Sequence, residues 1–371
     1  MVQTMWQVIN GDPHSAARDF LGALFDKQIV NGMLVPVRGT HNSVTPALVM
    51  HPNRLDQADP FAPVMLFNSA RLVSMLTREA SNQKIGVVLR SCEIRALIEL
   101  VKFNQVKLDH TIIIGVDCVG TLTAPQYTSA IQQFPDLADR MLAAAKQGNL
   151  SGLEFRSACA MCEHPAPEHA DISVGFIGVD HTHALAIDLR DDLAQQMGLG
   201  DDPSTIDKRN AALANLIVTR IAHRDATLKE FHDRMRNDGG FASYFADCLE
   251  CTNCMNACPI CYCKECFFRT ANAERSPREL LRLADRQGAL AMPPNALLFH
   301  LTRLNHMATS CIGCGMCEAA CPHDIPLTAM FRAVGSRVQK IFDYTPGRNM
   351  NDKPPFMEFK QNELQSIGEM E

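Results

Sequence analysis

The stretch CIGCGMCEAACPHDIP, residues 311–326, contains four cysteines at spacings of three, three and four, and the last is followed by proline. An earlier stretch, CLECTNCMNACPICYCKEC (248–266), begins with the same spacing and the same Cys-Pro ending. Three thiolates in a C-x2-C-x2-C run can bind one face of a cubane 4Fe-4S cluster. When two such motifs occur together, the fourth cysteine of each ligates the other cluster. The repeat therefore predicts two interlocked 4Fe-4S clusters in the second half of the chain.

The interlocked arrangement assigns each cluster three cysteines from one motif and one from the other. The first cluster has the predicted ligands Cys248, Cys251, Cys254 and Cys321, and the second has Cys311, Cys314, Cys317 and Cys258. Gly313 and Gly315 would let the second loop turn tightly and direct backbone N–H groups at sulfur. Structural zinc is the alternative, but zinc usually takes two separated cysteine pairs around one ion. The complete four-cysteine motifs favour iron–sulfur clusters.

Length, charge and cysteine content narrow the class of protein. The 371 residues suffice for two or three domains, and a formal charge of −6 gives no general attraction to nucleic acid or anionic membrane. The opening MVQTMWQVINGDPHS does not resemble a secretory signal, and no apolar stretch approaches the roughly 20 residues of a membrane span. We therefore expect a cytoplasmic protein without nucleic-acid partners. Its fifteen cysteines are expected to be metal ligands rather than disulfides.

Periodicity divides the chain into an α/β part and a helical part. In the first part, helices are predicted at 15–30, 68–80 and 92–103, and strands at 32–37, 84–90, 111–117 and 171–178. This order favours an α/β layer with parallel strand pairing. In the second part, helices are predicted at 201–235, at 276–284 behind a Ser cap, and at 295–307 with Leu297, Leu301 and Leu304 on one face. The helical connection between the two cysteine motifs favours an α-helical ferredoxin module.

The predicted domains are 1–190 (α/β), 191–240 (helical linker), 241–341 (two-cluster ferredoxin module) and 342–371 (extended tail).

Three further stretches carry a resemblance to a known family. They are GVVLRSCEIRALIELVK (86–102), IIIGVDCVGT (112–121) and CAMCEHPAPEHADISVGFIG (159–178). In that order they resemble the flavin-binding beta subunits of coenzyme F-420-reducing hydrogenase and of F-420-dependent formate dehydrogenase. A ferredoxin module after this domain resembles the formate dehydrogenase subunit more than the hydrogenase one. The second cysteine motif is also similar to the helical ferredoxin subunits of heterodisulfide reductases.

The resemblance implies a third 4Fe-4S cluster in the α/β domain, close to an FAD. Its ligands would be Cys92, Cys118, Cys159 and Cys162. Two of these positions agree with an independent argument, since Cys92 and Cys118 each follow a predicted strand, and α/β sheets bind ligands at the carboxyl ends of their strands. Cys92 also begins a predicted helix, whose dipole favours a thiolate.

Four residues are candidates for contact with the FAD. In ADISVG, Asp171 could hydrogen-bond the flavin and Gly175 could allow close backbone approach; the alternative is a plain strand that ends in a turn. In NSAR, Asn68 and Ser69 begin a predicted helix whose N–H groups could hold the pyrophosphate; the alternative is an ordinary helix cap. Related proteins often have a Gly-Gly pair in the first helix, where this chain reads HSAARDF; the flavin would then be held differently or bound weakly, and the difference favours a pure electron-transfer module.

These features predict an iron–sulfur flavoprotein subunit of an oxidoreductase. A soluble hydride carrier, coenzyme F-420 or NAD(P)H, would reduce FAD, and the clusters would pass single electrons to a formate dehydrogenase, hydrogenase or heterodisulfide-reductase-like partner subunit. Two alternatives stay open: a flavin-free electron relay and a zinc-organised scaffold. Three cysteines exceed the need of three clusters and would be supporting thiols, a redox pair or alternative ligands: Cys261, Cys263 and Cys266.

Overall fold

The computed structural model describes residues 1–40, 43–79, 82–147, 154–202, 206–290, 292–358 and 361, and the chain forms two compact units. The first unit comprises Met1–Ala226, Ile312–Gly315 and Pro346–Lys353. The second comprises Thr227–Cys311, Met316–Thr345 and the chain from Pro354 onward. The first unit thus includes two short segments from the far end of the sequence, one of which carries Cys314.

The first unit is built on a sheet that contains seven strands among the described residues. The strands are β1 (Val2–Gln7), β2 (Gly32–Arg38), β3 (Val44–Val49), β4 (Ile85–Arg90), β5 (Thr111–Val116), β6 (Ile172–Gly175) and β7 (Ala184–Leu189). The helices are α1 (Pro13–Asp26), α2 (Ala70–Leu76), α3 (Ser91–Lys102), α4 (Ala124–Gln133), α5 (Leu137–Gln147), α6 (Ser157–Ala160), α7 (Asp191–Met197) and the first part of α8 (Ile206–Asn237). The sheet order is β1-β7-β6-β5-β4-β2-β3.

The centre of the sheet has the parallel pairing that the sequence predicts. Strands β2, β4, β5 and β6 are parallel neighbours, and the side chains of β4 and β5 are largely buried. Continuous β-branched runs suit this position because both faces of a parallel sheet are covered. Helix α3 packs on β4 and β5, and it contributes the fully buried residues Ile94, Leu97 and Ile98 to the interior. The predicted α/β region is confirmed.

The edges of the sheet are antiparallel, which the sequence analysis did not predict. β1 pairs with β7, β7 with β6, and β3 with β2. Pro36 in β2 and Pro46 in β3 lie opposite each other. Proline is tolerated there because β3 is an edge strand and β2 pairs with β4 only through Gly32–Leu34.

A buried carboxylate ties the ends of β5 and β6 together. Asp117, directly after β5, accepts hydrogen bonds from the backbone N–H groups of Phe176 and Ile177, each at 2.9 Å. Arg209 on α8 donates to both of its carboxylate oxygens, at 2.5 and 2.7 Å. The carboxylate is therefore fully paired, as burial of a charge requires.

The second unit is helical in its described part. After the remainder of α8 it contains α9 (Gly240–Tyr244), α10 (Asn253–Ala257), α11 (Pro277–Gln287), α12 (Ala296–Met307), α13 (Met316–Ala319) and α14 (Leu327–Ile341). The predicted Ser cap is present, because the Ser276 hydroxyl accepts from Glu279 N at 3.3 Å while Glu279 bonds back to Ser276 N. The predicted helical character of this region is confirmed.

One detail of α12 differs from the prediction. Leu297 and Leu301 are each 39% exposed, and the residues that face the interior include His300 and Arg303. Leu304, the third predicted leucine, is buried, and the two polar side chains share that face with it. Both polar side chains contact a cysteine sulfur atom.

Candidate iron–sulfur sites

The first cysteine loop and the closing cysteine of the second motif meet around one cavity. Its lining includes the four predicted ligands of the first cluster: Cys248, Cys251, Cys254 and Cys321. Burial raises the pKa of Cys254 to about 11. The positive charge of Arg303 opposes this increase, whereas the nearby thiols of Cys248, Cys251 and Cys321 add to it. Two segments about 70 residues apart in sequence therefore supply thiols to one place.

The backbone of the first loop turns through two left-handed residues. Glu250 has φ of 53° and Thr252 has φ of 58°, a region that few non-glycine residues occupy. The turn points Glu250 N at Cys248 Sγ, at 3.4 Å, and Thr252 begins helix α10, which carries Cys254. The Glu250 carboxylate in turn accepts a hydrogen bond from Asn295 N at 2.5 Å. The loop is thus shaped so that an N–H group is directed at sulfur.

Helix α12 supplies two side chains that contact this set of thiols. Arg303 donates from one terminal nitrogen to Cys254 Sγ at 3.1 Å and from the other to Cys254 O at 3.2 Å. His300 Nε2 lies 3.3 Å from Cys248 Sγ, and the imidazole stacks on Phe245 with ring centroids 4.0 Å apart. Burial, together with the charge of Arg303, lowers the pKa of His300 to about 3, so the ring is neutral.

A second set of thiols lies in the same unit. Burial raises the pKa of Cys258, and the neighbouring Cys311 thiol adds to the effect, while the charge of Arg303 opposes it. Gln339 holds this part of the chain through a hydrogen bond from its amide to Cys311 O at 3.1 Å. Cys317 is also close to Arg303. Three predicted ligands of the second cluster, Cys258, Cys311 and Cys317, therefore lie near one another or near the same guanidinium.

The fourth predicted ligand of the second cluster, Cys314, belongs to the first unit. It lies in the segment Ile312–Gly315, whose Gly313 and Gly315 have φ of 72° and 68°. Arg95 on α3 donates to Ile312 O at 3.2 Å and so fixes this segment. The Cys314 thiol lies near Cys92, whose pKa is raised by burial, by the Glu93 carboxylate and then by the Cys314 thiol.

The four cysteines predicted for the third cluster also come together in the first unit. Cys118 and Cys162 are near enough to Cys92 to raise its pKa further, and burial together with Cys159 and Cys162 raises the pKa of Cys118 to about 11. Cys92 and Cys118 follow the carboxyl ends of the adjacent strands β4 and β5, as predicted. The ligand set itself stays a prediction.

Cys159 lies in the most polar surroundings of this group. Thr121 N and Thr121 Oγ1 each lie 3.4 Å from Cys159 Sγ, and Arg156 approaches it to 3.6 Å. Burial raises the pKa of Cys159, but the charge of Arg156 and the bonds from Thr121 outweigh it and lower the pKa. Arg156 is itself 7% exposed and hydrogen-bonded to Thr121 Oγ1 at 2.9 Å. A thiolate is therefore favoured at this position.

These surroundings fit clusters with thiolate ligands. All fifteen cysteines are free thiols, and buried guanidinium or N–H groups contact sulfur in both units. Such donors offset the negative charge that thiolates and sulfide would bring into a buried site. Among the described residues, no three His, Cys, Asp or Glu side chains are arranged to hold a single metal ion. Nor does any described helix have the length and apolar character of a membrane span.

Three of the residues predicted to contact FAD make hydrogen bonds within the protein, whereas Asn68 Nδ2 is buried without a partner among the described residues. Ser69 N donates to Glu93 Oε1 at 2.8 Å, and Asn68 Oδ1 accepts from Ala70 N at 3.1 Å. Both residues are buried, and α2 has only seven residues. The N–H groups proposed for the pyrophosphate are thus used within the protein.

The other two candidates have similar internal roles. The Asp171 carboxylate accepts from Ile113 N at 2.8 Å and from Arg190 at 2.5 Å. A Cβ atom on Gly175 would lie 2.6 Å from the Arg209 guanidinium, so the close approach that glycine permits here is to that side chain. The flavin contacts assigned to these four residues stay a prediction.

Comparisons with known proteins agree with the motifs. Residues 244–325 match the family of 4Fe-4S dicluster domains. The chain is 25% identical over 376 residues to the F420-dependent formate dehydrogenase subunit beta of Methanocaldococcus jannaschii, an alignment that covers 91% of this chain and 92% of the relative. It is 24% identical over 372 residues to the F420-dependent formate dehydrogenase 1 subunit beta of Methanococcus maripaludis, with 90% and 89% covered. The resemblance to these beta subunits is confirmed.

A likeness among solved structures is more distant. A chain of the F420-reducing [NiFe] hydrogenase complex from Methanosarcina barkeri, determined with xenon, superimposes with a TM-score of 0.46 and 10% identity. The match covers 65% of this chain and 94% of that one. The expected likeness to heterodisulfide reductase subunits stays a prediction.

Sequence reasoning found the cysteines but missed the side chains that contact them. Arg303 and Cys254 are 49 residues apart, and Arg156 and Thr121 are 35 apart. The local signal was on α12, where His300 and Arg303 are three residues apart and lie on the buried face with Phe299 and Leu304. A buried polar pair at that spacing is a reason to look for a charged or polar neighbour.

Proposed function

We propose that this chain is an iron–sulfur electron-transfer subunit of an F420-linked dehydrogenase complex, with three 4Fe-4S clusters. The cysteines would divide as the motifs and the resemblance imply, into two interlocked sets in the ferredoxin region and one in the α/β region. The beta subunits that the chain resembles along nine tenths of its length are components of F420-dependent formate dehydrogenases. An oxidoreductase partner subunit would receive or supply the electrons.

The observation that carries the proposal is the relation between Cys314 and Cys92. One is a predicted ligand of the second ferredoxin-type cluster and the other of the α/β cluster, and the Cys314 thiol is near enough to raise the pKa of Cys92. Arg156 is close to both thiols and to Cys159. The Cys314 thiol thus lies beside the cysteines predicted for the α/β cluster, within the first unit.

The source of the electrons is a second element of the proposal. Coenzyme F-420 or NAD(P)H delivers a pair of electrons as hydride, whereas each cluster accepts one electron at a time. FAD would convert between the two, and the residues proposed to contact it are Asn68, Ser69, Asp171 and Gly175. The alternative is a flavin-free relay between other redox subunits, and the internal hydrogen bonds of Ser69 and Asp171 favour it.

The test is anaerobic purification followed by analysis of iron, acid-labile sulfide and flavin. We expect about twelve irons per chain and an electron paramagnetic resonance signal after reduction with dithionite. The Cys159→Ser variant should retain about eight irons, because only the α/β cluster loses a ligand. Colourless protein without sulfide would rule out the proposal.

Mixing with the two carriers then identifies the source of electrons. Bleaching of a flavin absorbance by reduced F-420, and not by NADH, would support the F420-linked proposal. Protein with full iron content but no flavin would support the relay instead.

A further inference from the structure

Arg303 is a buried cation in the middle of the ferredoxin-type cysteines. It is 4% exposed, and it donates to both the sulfur and the carbonyl oxygen of Cys254. Its guanidinium carbon lies 5.5 Å from the centre of the Phe299 ring and 5.2 Å from that of Phe331. The aromatic rings exclude water from the charge, so its electrostatic interactions are only weakly screened.

The charge has no carboxylate partner among the described residues. Its Nε atom is buried without a hydrogen-bond acceptor. Burial lowers the pKa of Arg303, but nearby thiols outweigh this effect and raise it; they are those of Cys254, Cys317, Cys258 and Cys261. A buried guanidinium without a counter-ion would be strongly unfavourable. Anionic sulfur is thus the partner that this position requires.

We propose that Arg303 is a positioning residue that raises the reduction potential of both ferredoxin-type clusters. It is bonded to Cys254, a predicted ligand of the first cluster, and it lies near Cys258 and Cys317, predicted ligands of the second. Reduction adds one negative charge to a cluster, and a fixed positive charge beside it stabilises the reduced form. The inference rests on the proposed function, since it requires the clusters to be bound.

His300 provides a matched comparison on the same helix. It contacts Cys248, another predicted ligand of the first cluster, through an imidazole nitrogen. A guanidinium keeps its charge at all ordinary pH values, whereas the ordinary pKa of imidazole leaves it mostly neutral at neutral pH. The effect of Arg303 on potential should therefore exceed that of His300, although both contact sulfur at similar distances of 3.1 and 3.3 Å.

The experiment is an anaerobic redox titration of the full-length protein, followed by electron paramagnetic resonance. Arg303→Gln keeps a hydrogen-bond donor but removes the charge. We expect the ratio of reduced to oxidised first cluster at a fixed potential to fall about tenfold, which is a shift of about 59 mV to more negative potential for one electron. The second cluster should shift in the same direction by less. Arg303→Lys should titrate close to the unsubstituted protein, and His300→Gln should shift less than Arg303→Gln.

Three outcomes decide the inference. Full iron content with unchanged midpoint potentials in Arg303→Gln would overturn the inference. Loss of iron from Arg303→Lys would also overturn it, because the guanidinium would then be needed for folding rather than for its charge. If Arg303→Gln loses iron while Arg303→Lys keeps both its iron and its potentials, the charge is required and the inference stands. Absence of iron from the unsubstituted protein would instead refute the proposed function.

Discussion

The two cysteine loops have identical spacing but different residues between the cysteines. Where the second loop has Gly313 and Gly315, with φ of 72° and 68°, the first has Glu250 and Thr252, with φ of 53° and 58°. Glycine adopts this left-handed conformation at little cost, whereas a β-branched residue does so rarely. The comparison shows that the cysteine spacing imposes one backbone path and that the intervening residues adapt to it.

The loops also differ in what holds them. The first is fixed by Glu250, which accepts from Asn295 N, and by the two polar side chains of α12. The second is fixed by carbonyl acceptors, with Arg95 donating to Ile312 O and Gln339 to Cys311 O. Contacts at the left-handed residues thus offset the strain of the first loop, whereas the contacts of the second loop are made to its carbonyl groups and its glycines carry little strain.

The largest effect should come from exchange of the closing cysteines. If the clusters are interlocked, Cys321→Ser removes a ligand of the first-loop cluster and Cys258→Ser one of the second-loop cluster, so each variant should lose about four irons. The measurement is iron content together with electron paramagnetic resonance after dithionite reduction.

Variants within the loops serve as controls for this assignment. The spectrum of Cys321→Ser should match that of Cys251→Ser, and the spectrum of Cys258→Ser should match that of Cys314→Ser. The reverse match would show that each motif completes its own cluster and that the interlocked assignment is wrong.

How far the sequence could predict these sites depends on how local the signals are. The cysteine spacing, the Ser276 cap and the β-branched runs of β4 and β5 are local patterns; the cap and the parallel strands are present, and residues 244–325 match the 4Fe-4S dicluster family, while the ligand assignment stays a prediction. The left-handed Glu250 and Thr252 give no such signal, because neither residue type is typical of that conformation.

Contacts across the chain were outside the reach of sequence patterns. Arg303 contacts a cysteine 49 residues away, and the antiparallel edge pairs β1 with β7 across nearly the whole first unit. The candidate flavin residues show the same limit. NSAR has the composition of an anion-binding helix start, but Glu93, which is 24 residues further on, already accepts from Ser69 N.

A smaller effect should follow from loss of Arg95, and it should be confined to the second loop. Arg95 donates to Pro346 O at 3.1 and 2.9 Å and to Ile312 O at 3.2 Å, and it is 7% exposed. Arg95→Ala would leave these carbonyls without their charged donor, which costs about 3 kcal/mol. Amide hydrogen exchange should accelerate in 312–315 and 346–348 but not in 248–254.

The exposed Arg54 provides a control of the same residue type. Arg54→Ala should leave exchange unchanged in all three segments. Equal acceleration in both cysteine loops after the Arg95 substitution would show that the loops are not held independently.

The smallest effect should come from a reciprocal exchange at the left-handed positions. The Thr252 side chain makes no capping hydrogen bond to α10, so Thr252→Gly removes backbone strain with little loss and should stabilise the protein by about 0.5–1 kcal/mol. Gly315→Thr should destabilise it by about 1–2 kcal/mol, because it introduces a β-branched residue at φ of 68°. Glu250→Gly should be nearly neutral, since relief of strain is offset by loss of the bond to Asn295 N. Anaerobic thermal unfolding of the iron-loaded protein measures all three, and a destabilised Thr252→Gly would show that threonine contributes a contact that outweighs its strain.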